Sequence, residues 1–279
     1  MKFRLLVSAL FLAAGLRAQA GLPVRPEWLA GVSENGMLVM FASDAPTDVT
    51  KVKIKGLQKK EKILAIDIRP ANGLLYALGS SSRLYTLNWE TGYATQVGSG
   101  TFSTLLNGAH FAFDFNPVVD RIRLVSDAGQ NLRLNPDDAS VTSVDASVAY
   151  AGGDPNFGDT PSIAACAYTN NDNDPVTTTT TLYDIDASQD LLVVQNPPNS
   201  GTLNTVGALG VDVTEVAGFD IAGSNGVAYA GIVVKEGKKK KYRTTLFTIN
   251  LTNGTATSLG HIGGPWPLTS LTALGPVAE

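Results

Sequence analysis

The hydrophobic pattern is clearest between Lys62 and Gly98, where four short apolar runs are separated by turn residues. The runs are ILAIDI, LLYAL, RLYTLN and ATQVG, and Gly, Pro, Asn or Ser residues lie between them. Alternating β-forming residues between such turns are typical of antiparallel strands that follow one another in a meander. This segment therefore predicts a four-stranded antiparallel sheet.

The same unit recurs further along the chain, where FAFDFNP, IAACAYTN and AGFDIAG open three more copies. The match is closest between RLYTLNWETGYATQVG and TLFTINLTNGTATSLG, which both lead through a Gly-containing turn into AT-x-x-G. Sustained self-similarity of this kind indicates a repeat architecture such as a β-propeller.

A fifth copy at the front of the chain is incomplete, because Trp28–Ser33, Met37–Ser43 and Val49–Ile54 supply three strands without an opening one. The missing strand is predicted at Leu268–Leu274, so that both ends of the chain complete one blade and remove the exposed sheet edges. We predict an all-β, five-bladed propeller of four-stranded antiparallel blades. The predicted blades are 28–57 with 268–274, 62–99, 109–145, 162–208 and 216–261.

A six-bladed count is the main alternative. It requires strands within Ser147–Asp159, whose glycine and proline content favours a long loop between blades.

The first twenty residues have the layout of a secretory signal peptide, with a basic start, the apolar run Leu5–Leu16 and a small-x-small site at Ala18–Ala20. We therefore expect residues 1–20 to be removed and residues 21–279 to form a single secreted domain, periplasmic or extracellular. No later segment has the ~18 apolar residues of a membrane-spanning helix. We expect a monomer without a transmembrane segment.

Charge and cysteine content exclude some classes of protein. Without Lys2, Arg4 and Arg17, 18 basic residues remain against 25 acidic ones, a net charge of about −7 that argues against a nucleic-acid partner. Cys166 is the only cysteine, so an intramolecular disulfide is impossible, and its setting in IAACAY predicts a small core residue.

Several longer strings go beyond a generic repeat: RPANGLLYALGSSSRLYTLN, FDFNPVVDRIRLVSDAGQNLRLNPD, AYTNNDNDP, QNPPNSGTLNTVGALGVD and GFDI. Together they resemble the mainly bacterial, exported family known as domain of unknown function 4394, over about Trp28–Leu274. The resemblance implies a repeat-built, propeller-like exported protein. It brings no activity, cofactor or catalytic residue. The lysine-rich segments KVKIKGLQKKEK and GKKKKYR depart from the family pattern.

Asp67, Asp114 and Asp220 occupy the same position in the first strand of three repeats. If first strands line the central channel, these three carboxylates converge, where they could bind a hard cation or raise one another's pKa for acid–base chemistry. The alternative is that each aspartate caps the turn that follows it.

A second candidate metal site is the polar stretch after the third repeat's first strand, with oxygen ligands at Asn170, Asp172 and Asp174. Pro175 stands where an EF-hand needs glycine, and Thr181 where it needs glutamate, so an EF-hand is excluded. We predict no obligatory cofactor, with a looser calcium site as the open possibility and an ordinary polar turn as its alternative.

Three further residue patterns give weaker indications of function. Trp89 in the NWETG turn is the best aromatic candidate for stacking on a sugar. Asp184 and Asp186 share one strand face, which we interpret as a solvent-facing edge rather than a catalytic pair. Lysines concentrate in two groups, which form either an anion-binding patch or a solvated protective edge: Lys51, Lys53, Lys55, Lys59, Lys60 and Lys62 in one, and 238–241 in the other.

No nucleophile–base motif, metal-ligand spacing of histidines or phosphate-binding glycine loop occurs in the sequence. The sequence therefore favours a non-catalytic binding or scaffold module for a protein, a glycan or a cell-envelope component. The alternative is an exported hydrolase or lyase that acts on sugars or lactones through Asp67, Asp114 and Asp220, with or without calcium.

Overall fold

The computed structural model describes residues 25–172, 177–213, 215–236 and 241–276. The predicted signal peptide lies outside these residues and stays a prediction. Within them the fold is all-β, with one short 3-10 turn at Pro198–Ser200 and no α-helix. None of the described residues forms a helix long and apolar enough to cross a membrane.

The strands form five sheets, so the prediction of a five-bladed propeller is confirmed. Blade 1 contains β1 (Glu27–Ser33), β2 (Met37–Ala42) and β3 (Thr50–Lys53), and blade 2 contains β4 (Ile63–Ile68), β5 (Leu75–Gly79), β6 (Arg83–Leu87) and β7 (Ala94–Val97). Blade 3 contains β8 (Phe111–Asn116), β9 (Arg121–Ser126), β10 (Asn131–Leu134) and β11 (Val141–Val144). Blade 4 contains β12 (Ala149–Tyr150), β13 (Ile163–Tyr168), β14 (Leu182–Asp186), β15 (Leu191–Gln195) and β16 (Thr202–Ala208). Blade 5 contains β17 (Glu215–Ile221), β18 (Ala228–Glu236), β19 (Lys241–Ile249) and β20 (Ala256–His261), and β21 (Leu268–Pro276) follows it.

Closure of the ring by both ends of the chain is also confirmed. β21 pairs antiparallel with β1, with Ala30 opposite Thr272, and becomes the innermost strand of blade 1. The innermost strands β21, β4, β8, β13 and β17 contact one another around the central channel. Because all five run in the same direction, their first residues surround one mouth of the channel and their last residues the other.

Blade 4 differs from the other blades by the short strand β12, which pairs parallel with β16 inside the segment predicted to be a loop. The apolar side chains of Val148 and Tyr150 are buried between blades 3 and 4, and their burial draws this segment alongside the sheet. The approach is close enough to require glycine at Gly201, where a Cβ atom would lie 2.5 Å from the carbonyl oxygen of Ser147.

The core consists of five apolar clusters, and each cluster lies between two neighbouring blades. Successive residues of a strand point to opposite faces, and both faces are covered here. Leu29 packs between blades 5 and 1, whereas Ala30 packs between blades 1 and 2. Burial of each large side chain, such as Phe41, contributes about 1.5–3 kcal/mol. Cys166 belongs to the cluster between blades 3 and 4, as predicted.

Candidate functional site

The three repeated aspartates converge at the centre of the ring. Asp67, Asp114 and Asp220 lie on β4, β8 and β17, and one carboxylate oxygen of each lies within 4.8 Å of those of the other two. The residues on either side of each aspartate point away into the blade interfaces, as the alternation requires. The geometry is therefore the convergence that the channel hypothesis needs, while binding or catalysis by these residues stays a prediction.

These aspartates bond to neighbouring blades as well as locally, and Asp67 accepts the backbone N–H of the next residue, Ile68, at 2.7 Å. Asp67 accepts a hydrogen bond at Oδ2 from the backbone N–H of Phe115, at 2.8 Å. Asp114 accepts one at Oδ1 from the N–H of Tyr168, at 3.0 Å. In both bonds the donor belongs to the innermost strand of the next blade. The repeated aspartate thus joins adjacent blades by their backbones, which periodicity within one blade does not reveal.

Two blades lack the aspartate: blade 4 has Ala167 at this position, and blade 1 has Thr272. The hydroxyl oxygen of Thr272 lies 3.0 Å from Oδ1 of Asp67 and 2.8 Å from Oδ2 of Asp220. A hydroxyl has one proton to donate, so it serves only one of the two carboxylates at a time. The second contact becomes a hydrogen bond when a carboxyl group itself carries a proton.

Burial dominates the electrostatics of this Asp cluster. Loss of hydration raises the pKa of Asp67 and of Asp114 well above the usual range, and repulsion among the neighbouring carboxylates adds to both shifts. The pKa of Asp220 is also raised, chiefly by burial, although the hydrogen bonds that it accepts from Ala273 and Thr272 oppose the rise. Three carboxylates packed this closely favour a state in which protons or a cation neutralise part of their charge.

The Asp cluster fits a small, hard cation in its chemistry. Carboxylate oxygens are the ligands that calcium prefers, and Oδ1 of Asp220 is buried without a hydrogen-bond partner among the described residues. The adjoining space in the channel, lined in part by Ala112, Cys166 and Gly218, measures about 20 Å³. That volume suits one ion or one water molecule and is far too small for a sugar.

Where the innermost strands end, a second cavity of about 170 Å³ opens beside Asp220. Its other polar lining residues are Glu27, Ser224 and, from the loop after β13, Asn171 and Asp172. Asp220 of the Asp cluster and Asp172 of the predicted calcium loop, which are separate candidate sites in the sequence, therefore lie at one mouth of the channel.

The predicted calcium loop itself is only partly described. Asn170 donates a hydrogen bond from its side-chain amide to the carbonyl of Thr179, at 2.9 Å. Asp172 accepts one from the hydroxyl of Thr177, at 3.2 Å, and Asp174 lies outside the described residues. A metal at Asn170, Asp172 and Asp174 therefore stays a prediction.

Glu27 is a component of this mouth that the sequence did not indicate. Its carboxylate is buried and accepts hydrogen bonds from Ser224, at 2.7 Å, and Asn225, at 3.2 Å, in blade 5. Burial raises the pKa of Glu27, and the nearby charge of Asp220 adds to the rise. Because Glu27 occurs in the incomplete first repeat, no periodic signal marks it.

The predicted sugar-stacking residue, Trp89, lies on a groove of about 430 Å³ together with Trp28. Trp89 is 36% exposed and Trp28 is 38% exposed, so both indoles are accessible. Asn88 fixes the turn that carries Trp89, because its Oδ1 accepts the backbone N–H groups of Glu90 and Thr91. Leu274 and Gly275 line both this groove and the acidic cavity, so the two adjoin.

The interpretation of Asp184 and Asp186 as a solvent-facing edge is wrong, because both are fully buried. Asp186 accepts a hydrogen bond from the hydroxyl of Tyr150, at 2.6 Å. Neither carboxylate oxygen of Asp184 has a partner among the described residues, and burial raises its pKa well above the usual range. Both faces of a propeller strand pack against neighbouring blades, which is why alternation alone misplaced this pair.

The solved structures that are similar to this chain include the following two. A structural genomics protein of unknown function from Bacteroides thetaiotaomicron shares 14% identity over 85% of this chain and 58% of its own, with a TM-score of 0.48. PorZ, a surface component of the type-IX secretion system of Porphyromonas gingivalis, shares 14% identity over 87% of this chain and 28% of its own, with a TM-score of 0.39. This chain thus spans less than two thirds of either protein, and likenesses this distant do not bear on function.

No curated protein matches the sequence. A family model matches residues 37–272, which covers most of the chain and includes strands of every blade, although β1 precedes the match. The predicted resemblance is thereby confirmed. The chain belongs to the family described as Domain of unknown function (DUF4394).

Proposed function

We propose that this protein is a secreted, non-catalytic binding module that holds a glycan in the groove between Trp28 and Trp89. A protein or another cell-envelope component remains the wider class of partner within the same proposal. The observation that carries it is the placement of two half-exposed indoles on one groove that adjoins an acidic cavity.

The aromatic part of the groove suits the apolar faces of sugar rings. Indole rings bury large apolar areas and still tolerate a wet surrounding, which is the property that sugar stacking uses. Met40, Leu274 and Pro276 complete an apolar lining between the two tryptophans. A glycan bound in the groove would therefore cover the exposed indole surfaces with the apolar faces of its sugar rings.

The acidic cavity supplies hydrogen-bond acceptors at the inner end of the groove. Glu27, Asp172 and Asp220 line it, and sugar hydroxyls are donors that a carboxylate oxygen accepts with good geometry. The strands that carry Glu27 and Asp220 belong to the closed ring, so these acceptors need little rearrangement to bind. Pre-formed acceptors beside the stacking rings would make binding depend on the orientation of the sugar hydroxyls as well as on the presence of a sugar ring.

A glycan array probed with residues 21–279, followed by calorimetry on the best ligand, tests this proposal. Trp28→Ala and Trp89→Ala should each weaken binding about tenfold, which corresponds to about 1.4 kcal/mol. Trp266→Ala is the matched control, because Trp266 is 47% exposed and does not line the groove. Binding that survives both groove substitutions, or an array without any bound glycan, would contradict the proposal.

The alternative of a hydrolase or lyase is supported by the convergence of Asp67, Asp114 and Asp220. Against it, all three are at least 98% buried, and of the three only Asp220 lines the acidic cavity. A substrate in that cavity would meet one carboxylate and not the converging set, because Asp67 and Asp114 do not line it. Release of reducing sugar from a glycan that the array identifies, abolished by Asp114→Asn, would favour the enzyme.

A further inference from the structure

A cavity at the other mouth of the channel is not used by the glycan proposal. It measures about 690 Å³ and is bordered by residues near the start of innermost strands, including Ile63, Phe111, Val216 and Thr269. A cavity of this size holds a ligand of drug-like dimensions. Its position at the opposite end of the strands separates it from Trp28, Trp89 and Glu27.

We call this space the anion cavity; part of its wall is apolar, and Ser33, Asn35 and Thr269 add polar groups. Val32, Ile54 and Leu57 from blade 1 and its connection face Leu64 and Phe111. Ile54 and Phe111 also belong to the clusters that hold neighbouring blades together, which fixes this part of the wall in place. The wall therefore offers an ordered apolar area to the body of a ligand.

The charged side chains at the rim of the anion cavity differ in whether the protein already occupies them with hydrogen bonds or ion pairs. Lys53 and Lys62 are exposed there, and neither forms an ion pair within the described ranges. Their ammonium groups remain available to an anion, and His110 lies at the same rim. Glu34 is the opposing exposed carboxylate.

The second acidic residue of the rim, Glu61, is already engaged by the protein. Its Oε1 accepts the backbone N–H of Ser81 at 3.1 Å as well as the Ser81 hydroxyl, and its Oε2 accepts the hydroxyl of Tyr85. Burial, together with Glu61, raises the pKa of Tyr85 to about 12, so this hydroxyl stays a donor at neutral pH. These hydrogen bonds hold the Glu61 carboxylate on Ser81 and Tyr85, whereas Lys53 and Lys62 have no ion-pair partner within the described ranges.

We propose that the anion cavity binds an amphipathic organic anion, with its apolar body against Val32, Leu57 and Phe111 and its anionic head at Lys53 and Lys62. A carboxylate and a phosphate monoester share this chemistry. Lysine binds either as a compact charge without the planar geometry that arginine would impose. This function is independent of the glycan groove, because the two lie at opposite mouths of the channel.

Calorimetric titration of residues 21–279 with four decyl compounds tests the proposal: decanoate, decyl phosphate, decanol and decyltrimethylammonium. Each is kept below its micelle concentration. Either anion should bind about tenfold more tightly than decanol and decyltrimethylammonium, and the tighter anion identifies the head group. Equal binding of all four compounds, or preference for the cation, would overturn the proposal.

A pair of double substitutions locates the head-group site. Lys53→Gln with Lys62→Gln should weaken binding of the better anion about tenfold, with an unchanged melting midpoint. Lys59→Gln with Lys60→Gln is the matched control, because these exposed lysines belong to the same connection and do not line the cavity. Equal affinity of both double variants would show that the anion binds elsewhere. Trp28→Ala should leave anion binding unchanged, so failure of either proposal is recognised separately.

Discussion

Oδ2 of Asp220 accepts a hydrogen bond of 2.7 Å from the backbone N–H of Ala273, and this bond joins blade 5 to the strand that closes the ring. The next junction uses Ser270 of the same strand, whose hydroxyl accepts the N–H of Ile66 in blade 2 at 2.8 Å. β21 is therefore held on both sides by side-chain-to-backbone bonds. Closure in this protein depends on a few buried polar groups as well as on apolar packing.

Removal of one hydroxyl tests how much the closing junction depends on these bonds. Thr272→Val keeps the shape of the side chain and deletes the donor that Asp67 and Asp220 share. We expect the free energy of unfolding to fall by about 1–3 kcal/mol, because buried acceptors lose a partner. Urea denaturation measures this loss. Thr257→Val on the exposed side of β20 is the control and should change stability by less than about 0.5 kcal/mol.

The raised pKa of Asp114 predicts a pH dependence with a definite sign. A carboxyl whose pKa is higher in the folded state binds its proton more firmly there, so its contribution to stability is present near the unfolded pKa of about 3.9 and is lost as pH rises. Asp114→Asn removes this loss and keeps an acceptor for Tyr168. Its stability relative to the unsubstituted protein should therefore improve between about pH 4 and pH 7.

Asp138→Asn is the matched control for that experiment, since Asp138 is exposed and hydrogen bonds to Ser140 lower its pKa. A lowered pKa contributes stability that is present above the unfolded pKa and is lost as pH falls through the folded pKa, so the relative stability of this variant should change mainly below about pH 4 and stay nearly constant between about pH 4 and pH 7. A constant difference between Asp114→Asn and the unsubstituted protein across this range would mean that Asp114 titrates normally.

Calcium should raise the melting midpoint if the Asp cluster or the neighbouring mouth binds it. A ligand that binds only the folded state stabilises it by about 2.7 kcal/mol at a hundred times its Kd. The shift should disappear with a chelator and shrink in acid, because protons compete for carboxylates whose pKa is raised. Loss of the shift in Asp114→Asn would place the ion in the cluster, and loss in Asp172→Asn at the mouth. A midpoint that calcium leaves unchanged would exclude both sites.

A buried ion pair within blade 3 should be far more sensitive than an exposed one. Nη1 of Arg123 lies 2.7 Å from Oδ2 of Asp145, and the two side chains are 3% and 5% exposed. Asp145→Ala leaves the guanidinium buried without its carboxylate, so we expect a loss of about 3–5 kcal/mol in urea denaturation. Asp137→Ala removes a partner of Arg69 that is 66% exposed, and we expect less than about 1 kcal/mol. Similar losses for both would contradict the importance of burial.

The features that could be predicted from sequence are the ones that repeat. The FD and ID strings mark the innermost strands, and identical positions on strands around one axis must converge, as Asp67, Asp114 and Asp220 do. Alternation likewise predicts which side chains of β8 enter the blade interfaces, as Phe113 and Phe115 do.

Features that depend on how whole blades sit beside one another could not be read from the repeat. Trp28 and Trp89 line one groove between blades 1 and 2, and Glu27 accepts a hydrogen bond from Ser224 in blade 5. Both arrangements bring together residues far apart in sequence, and they occur where the first repeat is incomplete. Asp184 was misplaced for a related reason, since burial on both strand faces is a property of the ring and not of one strand.

The pairing of β1 with β21 has a consequence for the order in which the molecule assembles. Thr269 donates a hydrogen bond to the carbonyl of Val32 across 237 positions of sequence. Contacts of such separation raise the contact order and slow folding, because a long stretch of chain must be organised before its distant parts meet. Blades 2 to 5 can gather their own strands as synthesis proceeds, whereas blade 1 waits for β21. We expect blade 1 to be the last to mature, and until then its β1 edge is the most exposed to pairing with another chain.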